Sequence, residues 1–90
     1  SLPKVENLTV WDVTPYGFRV SWDADSGFSH FQVKVSDSGQ LLEPQELVVP
    51  GNEASLEVLG LITGIGYEVS VTGVSGTGLR SRPITTVAVT

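Results

Sequence analysis

The 90-residue sequence contains no cysteine and no methionine, and it has a single histidine, His30. Without cysteine the chain cannot form a disulfide, so its stability has to come from the packing of apolar side chains. One histidine and no cysteine leave too few of the usual ligands for a zinc site. We therefore expect no metal and no cofactor. The absence of cysteine does not indicate whether the protein is located inside or outside the cell.

Basic residues are scarce as well: five lysines and arginines stand against ten aspartates and glutamates, which gives a net charge of -5. Nucleic acids, anionic lipid surfaces and sulfated polysaccharides are bound chiefly by basic faces, so this balance argues against all three as partners. No apolar run reaches the roughly 20 residues that span a bilayer, so we expect no membrane insertion.

What the sequence does contain is a series of short runs in which apolar and polar residues alternate. Successive side chains of a strand point to opposite faces of a sheet, so this period of two predicts half-buried strands. No segment keeps a period of 3.6 residues, and helix is not expected. The clearest runs lie at residues 8–10, 18–22, 31–35, 56–58 and 67–71.

Turn-forming residues separate these runs and complete the predicted architecture. Short strands at regular spacing indicate an all-β, seven-stranded antiparallel Greek-key sandwich that occupies residues 1–90 as one domain. Pro44 falls inside the fourth run, and because proline lacks the ladder donor we place this strand at an edge. We predict the strands at about 5–10, 17–22, 30–36, 41–49, 54–59, 66–74 and 83–89.

Two aromatic residues mark the predicted structural centre. Tyr67 opens the sixth strand six residues after Leu61, which is the arrangement of a tyrosine corner, where the hydroxyl bonds the backbone a few residues upstream. Trp22 ends the second strand and is expected between the two sheets. The other predicted core residues are Leu8, Val10, Phe18, Val20, Phe31, Val33, Val35, Leu56, Val58, Val69 and Val71.

Taken in order, these motifs resemble the fibronectin type III family, which is immunoglobulin-like in fold, over essentially the whole chain. Asp-Val-Thr at 12–14 and Val-Pro-Gly at 49–51 are most similar to repeats of tenascin-type extracellular matrix glycoproteins, and similar repeats occur in fibril-associated collagens and in receptor phosphatase ectodomains. The family often has Pro-Gly-Thr before the tyrosine, where this chain has Thr63-Gly64-Ile65. The resemblance rests on segments 2–3, 7–10, 12–14, 20–24, 31–33, 49–51, 60–61, 67–71 and 81–83.

The resemblance implies a secreted, extracellular module without enzymatic activity, whose first partners are adjacent domains of the same chain. Two functions then compete. One is a structural spacer in a tandem array, with a part in cell adhesion. The other is a recognition module that binds a cell-surface receptor or a matrix protein. Nothing in the sequence requires a dimer, so we expect the isolated domain to be monomeric.

The loop before the last strand is the candidate partner-binding surface. It lacks the Arg-Gly-Asp tripeptide that the family can display there, but it is rich in glycine, which favours flexibility, and loops of this kind often carry binding residues. A plain connector is the competing interpretation and the one we favour. The candidate residues are Thr77, Leu79, Arg80 and Arg82.

Further candidates concern modification and contacts between domains. Asn7-Leu8-Thr9 fits the N-glycosylation sequon, and Asn7 should point outward if Leu8 points inward. Trp11 should also point outward, either folded over its own loop or packed on an adjacent domain. Ile62 and Ile65, expected to be exposed, are alternative contacts with such a domain.

Catalysis finds no support in the residue pattern. His30 is out of phase with the inward Phe31, so it should face solvent rather than meet a nucleophile and an acid in a pocket. The acidic residues do not have the spacing of a calcium loop. We therefore predict no catalytic, cofactor-binding or metal-binding residues.

Overall fold

The computed structural model describes residues 3–90, so Leu2, which contributed to the resemblance, lies outside the described residues. Every regular element within this range is a β-strand, and no helix long and apolar enough to cross a bilayer occurs there. The strands are β1 Val5–Thr14, β2 Gly17–Ala24, β3 Phe28–Asp37, β4 Gln45–Pro50, β5 Ser55–Val58, β6 Gly66–Ser75 and β7 Ile84–Val89.

The strands form two antiparallel sheets, as the spacing of the runs predicts. The three-stranded sheet has the order β1-β2-β5, and the four-stranded sheet has the order β4-β3-β6-β7. Because the number of strands is odd, β1 begins at one end of the sandwich and β7 finishes at the other. We call these the N-terminal end, formed by residues 3–4, 25–27, 51–54 and 76–83, and the C-terminal end, formed by residues 13–17, 38–44, 59–65 and 90.

The core lies between the inner faces of the two sheets and agrees closely with the predicted set. Eleven of the fourteen predicted core residues are buried, while Leu8, Val10 and Leu56 are half-buried and pack against the cluster. The pattern missed four buried apolar residues: Val5, Val49, Val74 and Ala88.

Two irregularities in β1 explain why Val5 was missed and why this strand is longer than predicted. Asn7 and Asp12 have left-handed backbone angles (φ 57° and 53°), and the register with β2 shifts at both places. A bulge adds one residue to the strand. Val5 and Leu8 therefore both point inward although they are three residues apart, which a strict period of two forbids.

The fourth strand was predicted incorrectly. It starts at Gln45 rather than near residue 41, and Pro44 lies before it instead of inside it. The cause is Asp37, whose carboxylate accepts hydrogen bonds from the backbone N–H groups of Leu41 at 2.8 Å and Leu42 at 2.9 Å. These bonds fold residues 38–44 into a loop. The prediction that this strand lies at a sheet edge is confirmed.

Candidate interaction surfaces

The C-terminal end is organised around Tyr67. Its Oη accepts a hydrogen bond from Ile62 N at 2.9 Å, which is the arrangement of a tyrosine corner. Leu61 is buried beside it, and Leu61 N donates to Tyr16 O at 3.0 Å. The β5–β6 connection is thus bound both to the start of β6 and to the turn between β1 and β2.

Trp22 is buried between the sheets at 3% exposure. Its ring meets Phe31 edge-on with the centroids 5.3 Å apart, an arrangement that the quadrupoles of aromatic rings favour. Trp22 lies on β2 of one sheet and Phe31 on β3 of the other, so this contact joins the two layers.

The candidate binding loop is folded back on itself. Ser75 N donates to Leu79 O at 2.8 Å, and Ser81 N donates to Gly73 O at 2.8 Å. Gly73 N in turn donates to Ser81 Oγ at 2.9 Å. These bonds continue the pairing along β6 past Ile84, the first residue of β7, so the glycines serve a tight turn rather than an open loop.

Within this loop, Thr77 and Leu79 present different groups. The Thr77 hydroxyl shares a 2.9 Å hydrogen bond with Ser75 Oγ and so is partly engaged inside the loop. Leu79 is 62% exposed and is the one large apolar side chain that the described N-terminal end presents to solvent.

Arg80 and Arg82 point to different surfaces. The Arg80 guanidinium donates to Gln32 Oε1 on β3. It closes one side of a groove of about 350 Å³ on the outer face of the four-stranded sheet, which also contains Lys34 and Glu46. Arg82 lines a separate cleft of about 470 Å³ with Pro3, Lys4, Val5 and Glu6, and Arg80 borders this cleft as well.

Two lysines that the sequence pattern did not group with this loop, Lys4 and Lys34, lie near Arg80 and Arg82. Lys4, Lys34, Arg80 and Arg82 are four of the five basic side chains of the protein, and none forms an ion pair within residues 3–90. Lys4 and Lys34 are distant from the loop in sequence, and only the packing of β1 and β3 near it brings them close. No local pattern could have grouped them.

Asn7 lies exposed at the first bulge of β1. Its Nδ2 donates a hydrogen bond to Asp23 Oδ2 at 2.9 Å, and Thr9 Oγ1 donates to Asn7 O at 3.1 Å. Both sequon residues are on the exposed side of an edge strand. The side-chain nitrogen that would carry a glycan is therefore at the surface, next to a carboxylate.

The three candidates for contact with a neighbouring domain lie on two different surfaces. Trp11 is 46% exposed on the outer face of the three-stranded sheet, opposite Arg19 of β2. The Arg19 guanidinium lies 5.6 Å from the Trp11 ring centroid and 3.0 Å from Glu57. Trp11 thus packs on the neighbouring strand, not over its own loop.

Ile62 and Ile65 both belong to the C-terminal end but differ in exposure. Ile62 is 48% exposed, as expected. Ile65 is half-buried against the core, contrary to the expectation. Ile65 N donates to Thr90 Oγ1 at 3.3 Å, and Thr90 N donates to Ile65 O at 3.2 Å, so the residue after β7 is bonded to Ile65.

His30 is half-buried rather than facing solvent. Its Nδ1 is 2.7 Å from the hydroxyl of the adjacent Ser29, and no acidic side chain within residues 3–90 bonds to it. In the same part of the chain, no three acidic or histidine side chains gather closely enough to hold a metal ion.

The sandwich, its Tyr67–Ile62 corner and the sequence together define the class of protein. The sequence profile of the fibronectin type III domain matches residues 3–87. The chain belongs to the fibronectin type III family.

Among curated proteins, the chain is similar to Tenascin of Mus musculus, with 50% identity over 91 residues, and to Tenascin of Gallus gallus, with 48% identity over 89 residues. These alignments include 100% and 98% of this chain but only 4% and 5% of the two tenascins. It is also 31% identical to the human collagen alpha-1(XX) chain, over 90% of this chain and 7% of the collagen.

Solved structures of other domains share the fold. A two-domain fibronectin type III segment from chicken tenascin superposes with a TM-score of 0.86 at 22% identity, over 94% of this chain and 48% of the segment. The fn3 domain of human collagen alpha-1(XX) chain superposes with a TM-score of 0.87 at 24% identity, over 99% of this chain and 84% of the collagen domain's chain.

Proposed function

We propose that this protein is a non-catalytic, extracellular spacer module that transmits tension along a tandem array of domains. The observation that carries the proposal is the position of the terminal strands. β1 begins at one end of a body 39 Å long, and β7 finishes at the other. Tenascin and collagen relatives that are many times longer than this chain support a place in such an array.

The geometry of the terminal strands suits resistance to force. A pull on the two ends of the chain acts along β1 and β7, parallel to strands that are paired antiparallel with β2 and β6. The ladder hydrogen bonds then share the load and shear together instead of opening one after another. The folded state should therefore persist until a threshold force is reached.

Single-molecule pulling of a polyprotein that contains this domain tests the spacer function. Ninety extended residues reach about 300 Å, so each unfolding event should lengthen the chain by roughly 260 Å relative to the 39 Å folded body. Extension without a force threshold would contradict the proposal. Val69→Ala, which thins the buried core, should lower the threshold, whereas the exposed Val87→Ala should not.

We also propose that Asn7 carries an N-linked glycan when the protein passes through a secretory pathway. The exposed sequon on the edge strand β1 supports this proposal. Expression in secreting animal cells should give a mass increase that peptide-N-glycosidase removes and that Asn7→Gln and Thr9→Ala both abolish. Asn52→Gln, at an exposed asparagine outside any sequon, is the control and should keep the increase.

Recognition of a receptor or matrix protein is the second candidate function. It is favoured by the four basic side chains around the β6–β7 loop that form no ion pair within residues 3–90. They lie on a chain of net charge -5, so an acidic partner would find its complement only here. This ligand would be a carboxylate-rich protein surface that supports adhesion of cells to the domain.

Cell adhesion to the immobilised domain tests this second function and separates the two surfaces near the loop. Arg82 lines only the cleft, Lys34 only the groove, and Arg80 both. Arg80→Gln, Arg82→Gln and Lys34→Gln each remove one positive charge. Loss of adhesion in the two arginine variants, but not in Lys34→Gln, would assign binding to the cleft. Adhesion that is absent from the wild-type domain, or unchanged in all three variants, would exclude this function.

A further inference from the structure

The exposed apolar side chains of this protein are concentrated at one end. Eleven large apolar residues within the described range are exposed, and seven of them surround the C-terminal end. Leu79 alone lies at the N-terminal end, and the other three lie on the outer faces of the sheets. The seven are Val13, Tyr16, Leu41, Leu42, Leu59, Ile62 and Val89.

Four of these residues form what we call the apolar cap: Tyr16, Leu42, Leu59 and Ile62. The backbone holds them together. Tyr16 O accepts a hydrogen bond from Leu61 N, between Leu59 and Ile62 in sequence. Leu42 and Ile62 line one recess of about 230 Å³.

Hydrogen bonds fix the backbone of the apolar cap, but they leave its side chains exposed. Asp37 fixes the backbone at Leu42, and Tyr67 Oη fixes the backbone at Ile62. Gln45 Nε2 donates to Leu59 O at 3.2 Å. The side chains nevertheless remain 42–66% exposed. A fixed arrangement of exposed apolar groups is typical of a surface that another protein surface covers.

The last residue of the chain lies directly beside this cap. Thr90 Oγ1 donates to Ile62 O at 2.6 Å, and its backbone N–H bonds to Ile65 O. A residue that follows Thr90 in a longer chain therefore starts next to Ile62. The loops of this end contain one charged residue, Glu43, so a covering surface meets few charges.

We propose that the apolar cap packs against the next domain of the same chain and sets the angle between the two domains. The inference rests on the proposed spacer function and adds its partner and its surface. Burial of Tyr16, Leu42, Leu59 and Ile62 at the joint would make two successive domains move as one body. An array built this way is stiff rather than freely jointed.

The test uses a two-domain fragment of the parent chain, containing this domain and the one that follows Thr90. Nitrogen-15 relaxation measures the rotational correlation time of each domain. Packed domains should share one correlation time, close to that expected for the whole fragment. Ile62→Ser removes an apolar side chain of the cap but keeps the backbone bond to Tyr67, and should shorten the correlation times of both domains.

Leu79→Ser is the matched control, because Leu79 is similarly exposed but lies at the opposite end. It should leave the correlation times unchanged. Unchanged amide chemical shifts away from each substitution would show that both variants keep the fold. Tyr16→Ser provides a second variant on the other side of the cap.

Different outcomes separate the inference from the function on which it rests. Independent tumbling of the wild-type domains, or equal effects of Ile62→Ser and Leu79→Ser, would overturn the cap contact and leave the force threshold of a single domain untouched. Self-association of the isolated domain that Ile62→Ser abolishes would assign the cap to a second copy and would also overturn the proposal. A missing force threshold with common tumbling would remove only the spacer function.

Discussion

The two ends of the sandwich are both built from loops that connect strands, but they present different chemistry. The N-terminal end carries Lys4, Arg80 and Arg82 around a cleft, and its long loop is closed by hydrogen bonds. The C-terminal end has no basic residue in its loops and exposes Tyr16, Leu59 and Ile62. A charged end suits reversible contact with an acidic partner, whereas an apolar end suits lasting contact with a neighbouring domain.

The difference also concerns how each end is stabilised. At the C-terminal end, two side chains hold the loop backbone in place by hydrogen bonds: Tyr67, which lies in the core, and Asp37, which ends β3. The N-terminal end depends on bonds within its own loop, such as those of Ser75 and Ser81. Loss of one residue from β6 or β3 should therefore disturb the C-terminal end more than any single loop substitution disturbs the other.

The largest expected effect removes the core that both ends share. Trp22→Ala should lower the free energy of unfolding by about 3–5 kcal/mol, because it leaves a cavity between the sheets. Urea denaturation followed by circular dichroism measures this loss. Trp11→Ala is the control: Trp11 is exposed and stacked only on Arg19, a contact that contributes about 0.5–1 kcal/mol. Equal losses would contradict the assigned core.

Removal of one hydroxyl should weaken the C-terminal end alone. Tyr67→Phe leaves Ile62 N without its acceptor, and an unpaired, partly buried donor costs roughly 1–3 kcal/mol. Amide hydrogen exchange should speed up at Ile62 more than at residues of the 76–83 loop. Tyr16→Phe removes an exposed hydroxyl at the same end and should change neither quantity. A similar loss in both variants would show that the hydrogen bond between Tyr67 and Ile62 does not account for the stability of this end.

Acid should weaken the same end through Asp37. Hydrogen bonds from Leu41 N and Leu42 N hold the pKa of this carboxyl below its ordinary value, so the folded state favours the ionised form. The resulting stability is present above the ordinary pKa and is lost as the pH falls through the lowered one. Thermal unfolding measured from pH 7 to pH 2 should show this loss.

Asp37→Asn is the variant that tests the origin of this acid sensitivity. It should be less stable at pH 7 and should lose less stability on acidification than the wild type. Glu43→Gln is the control. The Glu43 carboxylate lies in the same loop but accepts no hydrogen bond from Leu41 N or Leu42 N, so this variant should keep the wild-type pH dependence. A steep acid loss retained in Asp37→Asn would assign the effect to other carboxylates.

The smallest expected effect concerns the N-terminal end. Ser81→Ala removes the acceptor of Gly73 N, and one neutral hydrogen bond contributes about 0.5–1.5 kcal/mol. Faster amide exchange at Gly73, without change at Ile62, is the expected outcome. Ser26→Ala, at an exposed loop position of the same end, is the control. If Ser81→Ala also accelerated exchange at Ile62, the two ends would not be independent.

The sequence predicted the fold better than the surfaces, for a physical reason that particular residues show. Phe18, Val20 and Trp22 alternate with exposed or half-buried neighbours, and all three are buried. The fourth strand was predicted to begin near Leu41, whereas Asp37 bonds the backbone of Leu41 and Leu42 into a loop. Hydrogen bonds from a side chain to a loop backbone produce no periodic pattern of apolar residues, so the sequence pattern does not predict them.

The candidate surfaces show the same limit. Arg80 and Arg82 are two residues apart, yet one is bonded to Gln32 across the sheet face and the other borders the cleft beside Lys4. Trp11 and Ile62 were grouped as exposed apolar residues, but they lie on a sheet face and at the C-terminal end respectively. Position in the alternating pattern predicted that Trp11 is exposed, but only the three-dimensional structure showed which surface each residue occupies.

The sequence by itself determined that the chain forms seven strands with one buried face each, because the period of two in apolar residues acts locally on each strand. It also determined the tyrosine corner, since Leu61 and Tyr67 lie within one short connection. Only the tertiary structure decided which loops share an end, where the basic residues meet and that Thr90 lies beside Ile62. Those relations join residues far apart in the sequence, such as Lys4 and Arg82 in the cleft or Gln32 and Arg80 across the sheet face, and they exist only once the two sheets have packed.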